Sequence, residues 1–492
     1  MNAKRILAIV LAFVMLLGTL LLTACNSTSN DPVTDDTTTA KKPDDTTKPV
    51  GGGDEKVPAR EDAEPTTDEN YSGRTWNVLD AEGSDFFIPN GSKAQTIEDV
   101  VAKRTLYIEE KYDIEIVPYP YSGHSDYTTL QASYLGGDQL YDLILPHPTI
   151  NFTPLITSGM LQDLNDSATL GGHIDTTKLY WQQGMVESYT INGRLFMCAG
   201  DATLGVGSFV VLNKAKYDAT YPEEDIYDVV FDGKWTMQKV IDLATENYDE
   251  EAGEFGYSMH QGHVSEFYFS CGETLLKRTE DGGYELKYDV DRCEKIAEKV
   301  YNLVIGPQTH LDTWYNGTFL TTEAWKGFAS QNIFMLYMDV GAFGNMVSTL
   351  DFSTAYLPTP KYDEAQENYL HVAGGGFMGI PNDAKDLPFA ALMLETLNWY
   401  SYHNYRPVYI DSYLSALLAK NENDYKIFNM YLNNGVYDMG YILDSSGLES
   451  GRAVGMFKTV IIENLSYNVS SYIEEWEEAC NTKFQETLQE IY

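Results

Sequence analysis

From Tyr71 to Leu145 the hydrophobic pattern alternates between a period of two and a period of 3.6, and few architectures accommodate that alternation. Arg74 to Leu79 reads as a short strand. Ile97, Val100, Val101, Arg104 and Ile108 fall at helical spacing and predict a helix over Ala94 to Tyr112. Asp113 to Val117 alternates as a strand, and Tyr127 to Leu135 is a helix stopped by Gly136-Gly137. Tyr141 to Leu145 is a buried strand, broken by Pro146 and Pro148. Strand, helix, strand, helix, strand implies right-handed crossovers and a parallel sheet, an α/β fold. Ligands of such sheets sit beyond the C-terminal ends of the strands. The loops Asp80–Asp85 and Pro146–Thr149 are therefore candidate cleft segments, with Glu82 and His147 as their candidate binding residues.

The N-terminus constrains location. Lys4 and Arg5 precede an apolar run from Ile6 to Leu22, followed by Leu22-Thr23-Ala24-Cys25. A charged segment, an apolar segment and a small-residue cleavage site make a secretory signal. Cys25 directly after Leu-Thr-Ala resembles the lipobox of bacterial lipoproteins. That resemblance implies removal of residues 1–24, acylation of the Cys25 thiol, and a protein held on the extracellular face of the cell membrane by its lipid anchor. Two acyl chains, at about 0.8 kcal/mol per buried CH₂, suffice for stable anchoring.

Residues 26–70 hold twelve acidic and five basic residues, and their first aromatic neighbour is Tyr71. A segment that polar buries too little apolar surface to fold, and Gly51-Gly52-Gly53 adds flexibility, so 25–70 reads as lipidated cysteine and linker. The formal charge of −40 repels phosphate backbones and excludes a nucleic-acid partner. It points instead to a neutral or cationic ligand. Cys198, Cys271, Cys293 and Cys480 stand at wide, irregular spacings, which favours buried thiols over a disulfide framework or a metal site.

A series of short segments then carries a family resemblance. Tyr141 to Ile144, Ser158 to Leu164 and Ile191 to Phe196 look like the extracellular solute-binding proteins of ABC importers. Phe209-Val210-Val211-Leu212-Asn213-Lys214 is similar to that family's strand ending in Asn-Lys, and Tyr227 to Thr236 to its Trp-Thr helix opening. Phe328 to Met335, Leu357 to Lys361 and Gly379-Ile380-Pro381 follow in the same order. The similarity covers essentially all of Tyr71 to Tyr492, and the branch it resembles is that of sugars and oligosaccharides, the relatives of maltodextrin-binding protein. Leu212 departs from the pattern, since the family usually has a tyrosine beside the asparagine.

The resemblance implies a two-lobed, type II periplasmic-binding-protein-like fold with the ligand clamped between the lobes. The expected first lobe is 71–203 with 372–405, and the second is 204–371 with 406–492. The crossings are expected near Gly200–Gly207, Leu357–Ala373 and Tyr405–Ile410. Pyranose rings present C–H faces that stack on flat side chains, while their hydroxyls suit carboxylates. Glu266-Phe267-Tyr268-Phe269 resembles a segment of maltodextrin-binding protein that carries a stacking tyrosine, which makes Phe267 and Tyr268 candidates. Tyr337 to Phe343 looks like its stretch with a glycine two residues before a stacking tryptophan, which puts Phe343 in the stacking place with Asp339 accepting from hydroxyls. Asp201, near the first crossing, and Phe377, after the glycines, complete the set. Trp235 is expected to pack the helix that Thr236 caps, and Trp314 and Trp325 have no assigned place.

No G-x-S-x-G, H-E-x-x-H or Walker segment marks an enzyme. A glycoside hydrolase needs two carboxylates about 5–10 Å apart; 73 acidic residues supply pairs by chance, and none is singled out. His260-Gln261-Gly262-His263 lacks further ligands at zinc spacing, and no EF-hand loop occurs. The resemblance thus implies a monomeric binder of carbohydrate that uses no cofactor, has no metal ligands singled out, and delivers its ligand to ABC permease subunits. A peptide or other small polar nutrient is the second ligand class, and a glycan adhesin or a hydrolase the remaining alternatives.

Overall fold

The computed structural model describes residues 63–80, 86–89, 95–120, 126–146, 152–205, 207–279, 283–312, 322–339, 350–372, 376–410, 422–432, 434–445 and 453–491. Its first sheet is built from strands β1 (Arg74–Asp80), β2 (Ile114–Pro120) and β3 (Leu143–Leu145), in the order β2-β1-β3 and parallel throughout. Helices α1 (Gln95–Tyr112) and α2 (Asp126–Gly136) make the crossovers. The helically spaced set of α1, Ile97, Val100, Val101, Arg104 and Ile108, forms its buried face. β2 runs past Val117 to Pro120, because an edge strand tolerates proline where no neighbour needs its N–H. β3 starts later than Tyr141, because Asp142 pairs with β1 through its side chain as well: its carboxylate accepts from Asn77 N at 2.9 Å.

The folded region begins before Tyr71. Glu64 accepts from Tyr107 and Lys111, and the Pro65 carbonyl accepts from Lys111 Nζ at 2.6 Å and from Tyr112 OH at 3.1 Å. The last turn of α1 thus holds residues that their composition alone assigns to linker.

Helices α3 (Phe152–Thr157) and α4 (Gln183–Tyr189) follow the first sheet. The chain then builds a second sheet from β4 (Ser208–Asn213), β5 (Phe255–His260), β8 (Thr309–Asp312), β9 (Ile333–Asp339) and β10 (Thr354–Leu357). The order is β10-β4-β9-β5-β8, with β4 antiparallel to both neighbours and the other pairs parallel. Every residue of β4 is buried, as a central strand covered on both faces requires. Asn213 then caps helix α5 (Lys214–Thr220) by accepting from Lys216 N at 3.0 Å, which is the physical content of the Asn-Lys pair. Thr236 caps α6 (Met237–Glu246) in the same way, and Trp235 is fully buried with its indole N–H on Pro358 O at 2.8 Å.

Beyond β5 lie helix α7 (Glu266–Ser270), an antiparallel hairpin of β6 (Leu276–Arg278) and β7 (Tyr284–Leu286), and helix α8 (Val290–Val304). The chain returns to the first sheet through the isolated bridges Cys198–Met378, Ile144–Gly379 and Leu161–Pro381. Helix α9 (Leu387–Tyr400) is capped by Asp386 and buried on all sides from Phe389 to Asn398, packing on α1. It runs on into π-helical turns over Ser401–Tyr405, so the chain enters the segment of the third expected crossing as helix. A short parallel pair, β11 (His371–Val372) with β12 (Gly435–Val436), and the long helix α10 (Ser470–Ile491) complete the chain.

Cys198, Cys271, Cys293 and Cys480 are all buried. Among the described residues no helix is long and apolar enough to cross a membrane.

Candidate functional site

The polar residues of the second sheet gather at one edge. The parallel strands β5, β8 and β9 end there at His260, Asp312 and Asp339. Antiparallel β4 begins there, with Ser208 opposite Asp339. The chain leaves β5 through a 3-10 turn, Gln261–Ser265, and enters α7 at Glu266, which sets His263 and Glu266 three apart on one face.

These side chains close a ring of hydrogen bonds. Glu266 Oε1 lies 2.9 Å from His263 Nδ1, and the same ring nitrogen lies 3.2 Å from Ser208 Oγ. Glu266 Oε2 accepts from Tyr337 OH at 2.8 Å. Tyr337 OH meets Thr359 Oγ1 at 3.1 Å, Thr359 Oγ1 meets Tyr431 OH at 2.6 Å, and Tyr431 OH donates to Ser208 O at 2.7 Å. Tyr337, Thr359 and Tyr431 are buried, whereas the His263 and Glu266 side chains keep 25% and 20% of their surface. The ring is sealed on one side and open at one carboxylate and one imidazole.

Burial alone would raise the Glu266 carboxyl, but the adjacent His263 and hydrogen bonds from His263, Tyr337 and Ser208 outweigh it and hold the group below the usual range. The site therefore presents an ionised acceptor already oriented by its neighbours. Ligand hydroxyls are the donors such an acceptor takes best. Ser208, His263 and Glu266 do not make a nucleophilic triad, because hydroxyl and carboxylate share Nδ1 rather than occupying the two ring nitrogens. Among the described residues no three His, Cys, Asp or Glu side chains are grouped to hold a metal ion.

The residues singled out in the sequence fall in several places. Phe267 is fully buried and stacks on Tyr337 with ring centres 5.4 Å apart. Tyr268 is buried, edge-on to Phe269 and Phe457. Phe377 is buried between Phe152 and Tyr189. A stacking role needs an exposed ring face, and these three rings are core instead. Asp201 is fully buried and paired with Arg406 at 2.8 Å. It ties the first crossing to the turns after α9. Beside it Arg104 donates to Phe86 O at 2.6 Å and Ser401 Oγ at 3.2 Å, with its guanidinium lowered to about 10 by burial. The backbone of Asp339 closes β9 at the polar edge. Trp325 is buried beside Phe328. Glu82, His147, Trp314 and Phe343 lie outside the described residues, as does Cys25.

Sequence reasoning missed Glu266, Ser208, Tyr337, Thr359 and Tyr431 as a group. One signal was available: His263-x-x-Glu266 at a helix opening places an imidazole and a carboxylate in reach of each other. The four hydroxyl groups arrive from distant segments and left no local trace.

No protein-family model matches the sequence, and no curated protein matches it. The fold has clear counterparts among solved structures. The ABC substrate-binding protein Lmo0181 from Listeria monocytogenes, in complex with cycloalternan, superposes with a TM-score of 0.58 at 14% identity, over 84% of this chain and 100% of that one. The galacto-N-biose-/lacto-N-biose I-binding protein from Bifidobacterium longum, with lacto-N-biose, gives 0.58 at 12% identity, over 86% and 99%. Maltose-bound MalE3 from T. maritima gives 0.52 at 13%, over 83% and 100%. The chain has the two-lobed α/β fold of periplasmic solute-binding proteins.

Proposed function

We propose that this protein is an extracellular receptor that captures a sugar or oligosaccharide for an ABC importer and performs no reaction on it. The observation that carries the reading is the likeness in fold to three sugar-bound receptors along almost their whole length. The open carboxylate of Glu266 at the polar edge of the second sheet supports it, since preoriented acceptors are what hydroxyl-rich ligands require. In this reading Glu266 and His263 accept and donate to ligand hydroxyls from the second lobe, and Phe343, Asp339, Glu82 and His147 line the same cleft. Residues 71–203 with 372–405 form one lobe and 204–371 with 406–492 the other. Lobe closure around the ligand makes the form that the permease recognises.

A thermal-shift screen of glycans and peptides against the whole chain tests the reading, because a ligand that binds only the native state raises its stability by mass action. A glycan response without turnover of the glycan is the expected result. A response to peptides alone would move the protein to the second ligand class. For the anchor, Cys25→Ala should abolish incorporation of labelled fatty acid; retained label would remove Cys25 from that role.

A further inference from the structure

A two-lobed receptor needs its lobes to move about the crossings, yet here a second set of contacts joins them. We propose that the β6–β7 hairpin is a latch, holding the second lobe to the end of α4 in the first and setting how far the lobes open. Arg278 Nη2 donates to Glu187 O at 2.9 Å and to Thr190 O at 3.1 Å. Tyr284 OH donates to Ser188 O at 2.7 Å, and Arg278 Nη2 reaches that hydroxyl at 3.2 Å. The acceptors are the Glu187 and Ser188 carbonyls in the last turn of α4 and the carbonyl of its C-cap Thr190, positions whose carbonyls have no partner within a helix. A guanidinium there also meets the negative end of the helix dipole. The latch thus binds groups that every conformation of α4 must offer to something.

The rest of the seam continues the same line. Gln485 Nε2 on α10 donates to Tyr284 O at 3.2 Å, which backs the hairpin from behind. The start of α10 packs on second-lobe residues through Trp476 against Tyr288, while Arg194 of the first lobe donates to Ile491 O at 3.3 Å. One rigid helix therefore reaches across both lobes. Tyr437 OH donates to Gln182 Oε1 at 3.0 Å and Thr153 Oγ1 to Leu443 O at 3.2 Å beside it. A lone two-stranded hairpin is marginal in water, so β6–β7 takes its position from what it docks on. Arg278 is exposed, and exposed bonds exchange with water at small cost, as a releasable contact requires.

The proposal rests on the lobed fold and not on the ligand, so its test needs none and leaves the sugar-receptor reading to its own experiment. Spin labels at Leu135→Cys and Phe231→Cys, both exposed and one in each lobe, report the interlobe distance in the full chain. Cys25→Ser is added, and the buried native thiols do not compete. Arg278→Ala with Tyr284→Phe removes the latch hydrogen bonds and keeps the Tyr284 ring. The expected result is a second, longer-distance population in the ligand-free protein, with Arg278→Lys giving an intermediate distribution. Arg278→Ala alone, at an exposed position, serves if the double substitution impairs folding. A distance distribution identical to that of the spin-labelled parent with its latch residues intact, with both variants folded, overturns the proposal.

Discussion

Glu266, at the polar edge of the second sheet, and Glu395, on α9, both accept from a tyrosine hydroxyl and an aromatic N–H, yet their carboxyls shift in opposite directions. Glu395, on α9, accepts from Tyr180 OH, from Trp181 Nε1 at 3.1 Å and from Asp175 N at 3.4 Å. Burial dominates there and raises its carboxyl to about 7, with the hydrogen bonds recovering only part of the loss. At Glu266 the adjacent His263 and the hydrogen bonds from His263, Tyr337 and Ser208 outweigh burial, and the group is held below its usual range. Exposure separates them as well: Glu395 is 3% exposed, while the Glu266 side chain keeps 20% of its surface. Equal hydrogen bonding therefore yields a sealed structural carboxyl in one place and a charged acceptor within reach of solvent in the other.

The largest test of that contrast is Glu395→Ala. It strands the Tyr180 hydroxyl and the Trp181 indole N–H inside the core, and it opens a cavity. Each buried donor left unpaired costs about 1–3 kcal/mol, so a loss of about 3 kcal/mol or more is expected in urea melts at pH 6. Glu266→Ala should cost less, since water reaches His263 and the Tyr337 hydroxyl keeps Thr359 as a partner. Equal losses would break the distinction between a sealed and an open carboxyl.

The pH dependence comes next in size. A carboxyl raised in the fold from 4.5 to about 7 binds its proton more tightly folded than unfolded. Its contribution is fully present below pH 4.5, falls as pH rises, and is gone above pH 7. At about 1.4 kcal/mol per unit the decline is about 3 kcal/mol. Glu395→Gln should flatten that segment of the stability–pH curve, with its carbonyl facing Trp181 and its amide donating to Tyr180 OH. Glu266 has the reverse sign: its stabilisation is present above pH 4.5 and declines as pH falls below that. If the curve of Glu395→Gln still declines between pH 4.5 and 7, the group is ionised in the fold and the comparison fails.

These two sites also mark how far the sequence could be read. The strand–helix alternation of the first sheet, the Asn213 and Thr236 caps and the burial of Trp235 follow from local periodicity and capping chemistry, which a sequence carries openly. Glu395 sits in a helix buried on every side, where nothing announces that Tyr180 and Trp181 will arrive to satisfy it. Phe267, Tyr268 and Phe377 read as site residues because aromatic type fits both a sugar face and a core, and only packing decides between them. Glu64 and Pro65 read as linker because their anchoring partners, Tyr107 and Lys111, stand far away in sequence.

For the open carboxylate, the expected loss is in binding rather than in folding. Glu266→Gln keeps the shape and one acceptor but removes the charge that a ligand hydroxyl meets. Affinity for whichever glycan the screen returns should fall about tenfold, or about 1.4 kcal/mol, by calorimetry. Melting should move by less than that of Glu395→Ala. Unchanged affinity would take Glu266 out of the binding site and leave the sugar-receptor reading untouched.

The smallest effect concerns whether the polar edge acts as one unit. Tyr431→Phe deletes a hydroxyl that joins Thr359 to the Ser208 carbonyl, on the far side of the ring from Glu266. The loss in stability should be about 1 kcal/mol, the net worth of a typical buried hydrogen bond. Groups in one hydrogen-bonded network couple by about 0.5–3 kcal/mol in double-mutant cycles, whereas distant sites add within about 0.5 kcal/mol. Tyr431→Phe and Glu266→Gln should therefore be non-additive, because opening the ring at Tyr431 frees Thr359 and Tyr337 to rearrange around the carboxylate. Tyr431→Phe and Glu395→Gln should simply add, since no residue of the Glu395 cluster joins that ring. Additivity in both cycles would mean that the polar edge of the second sheet is a set of separate pairs, and that the lowering of the Glu266 carboxyl rests on His263 alone.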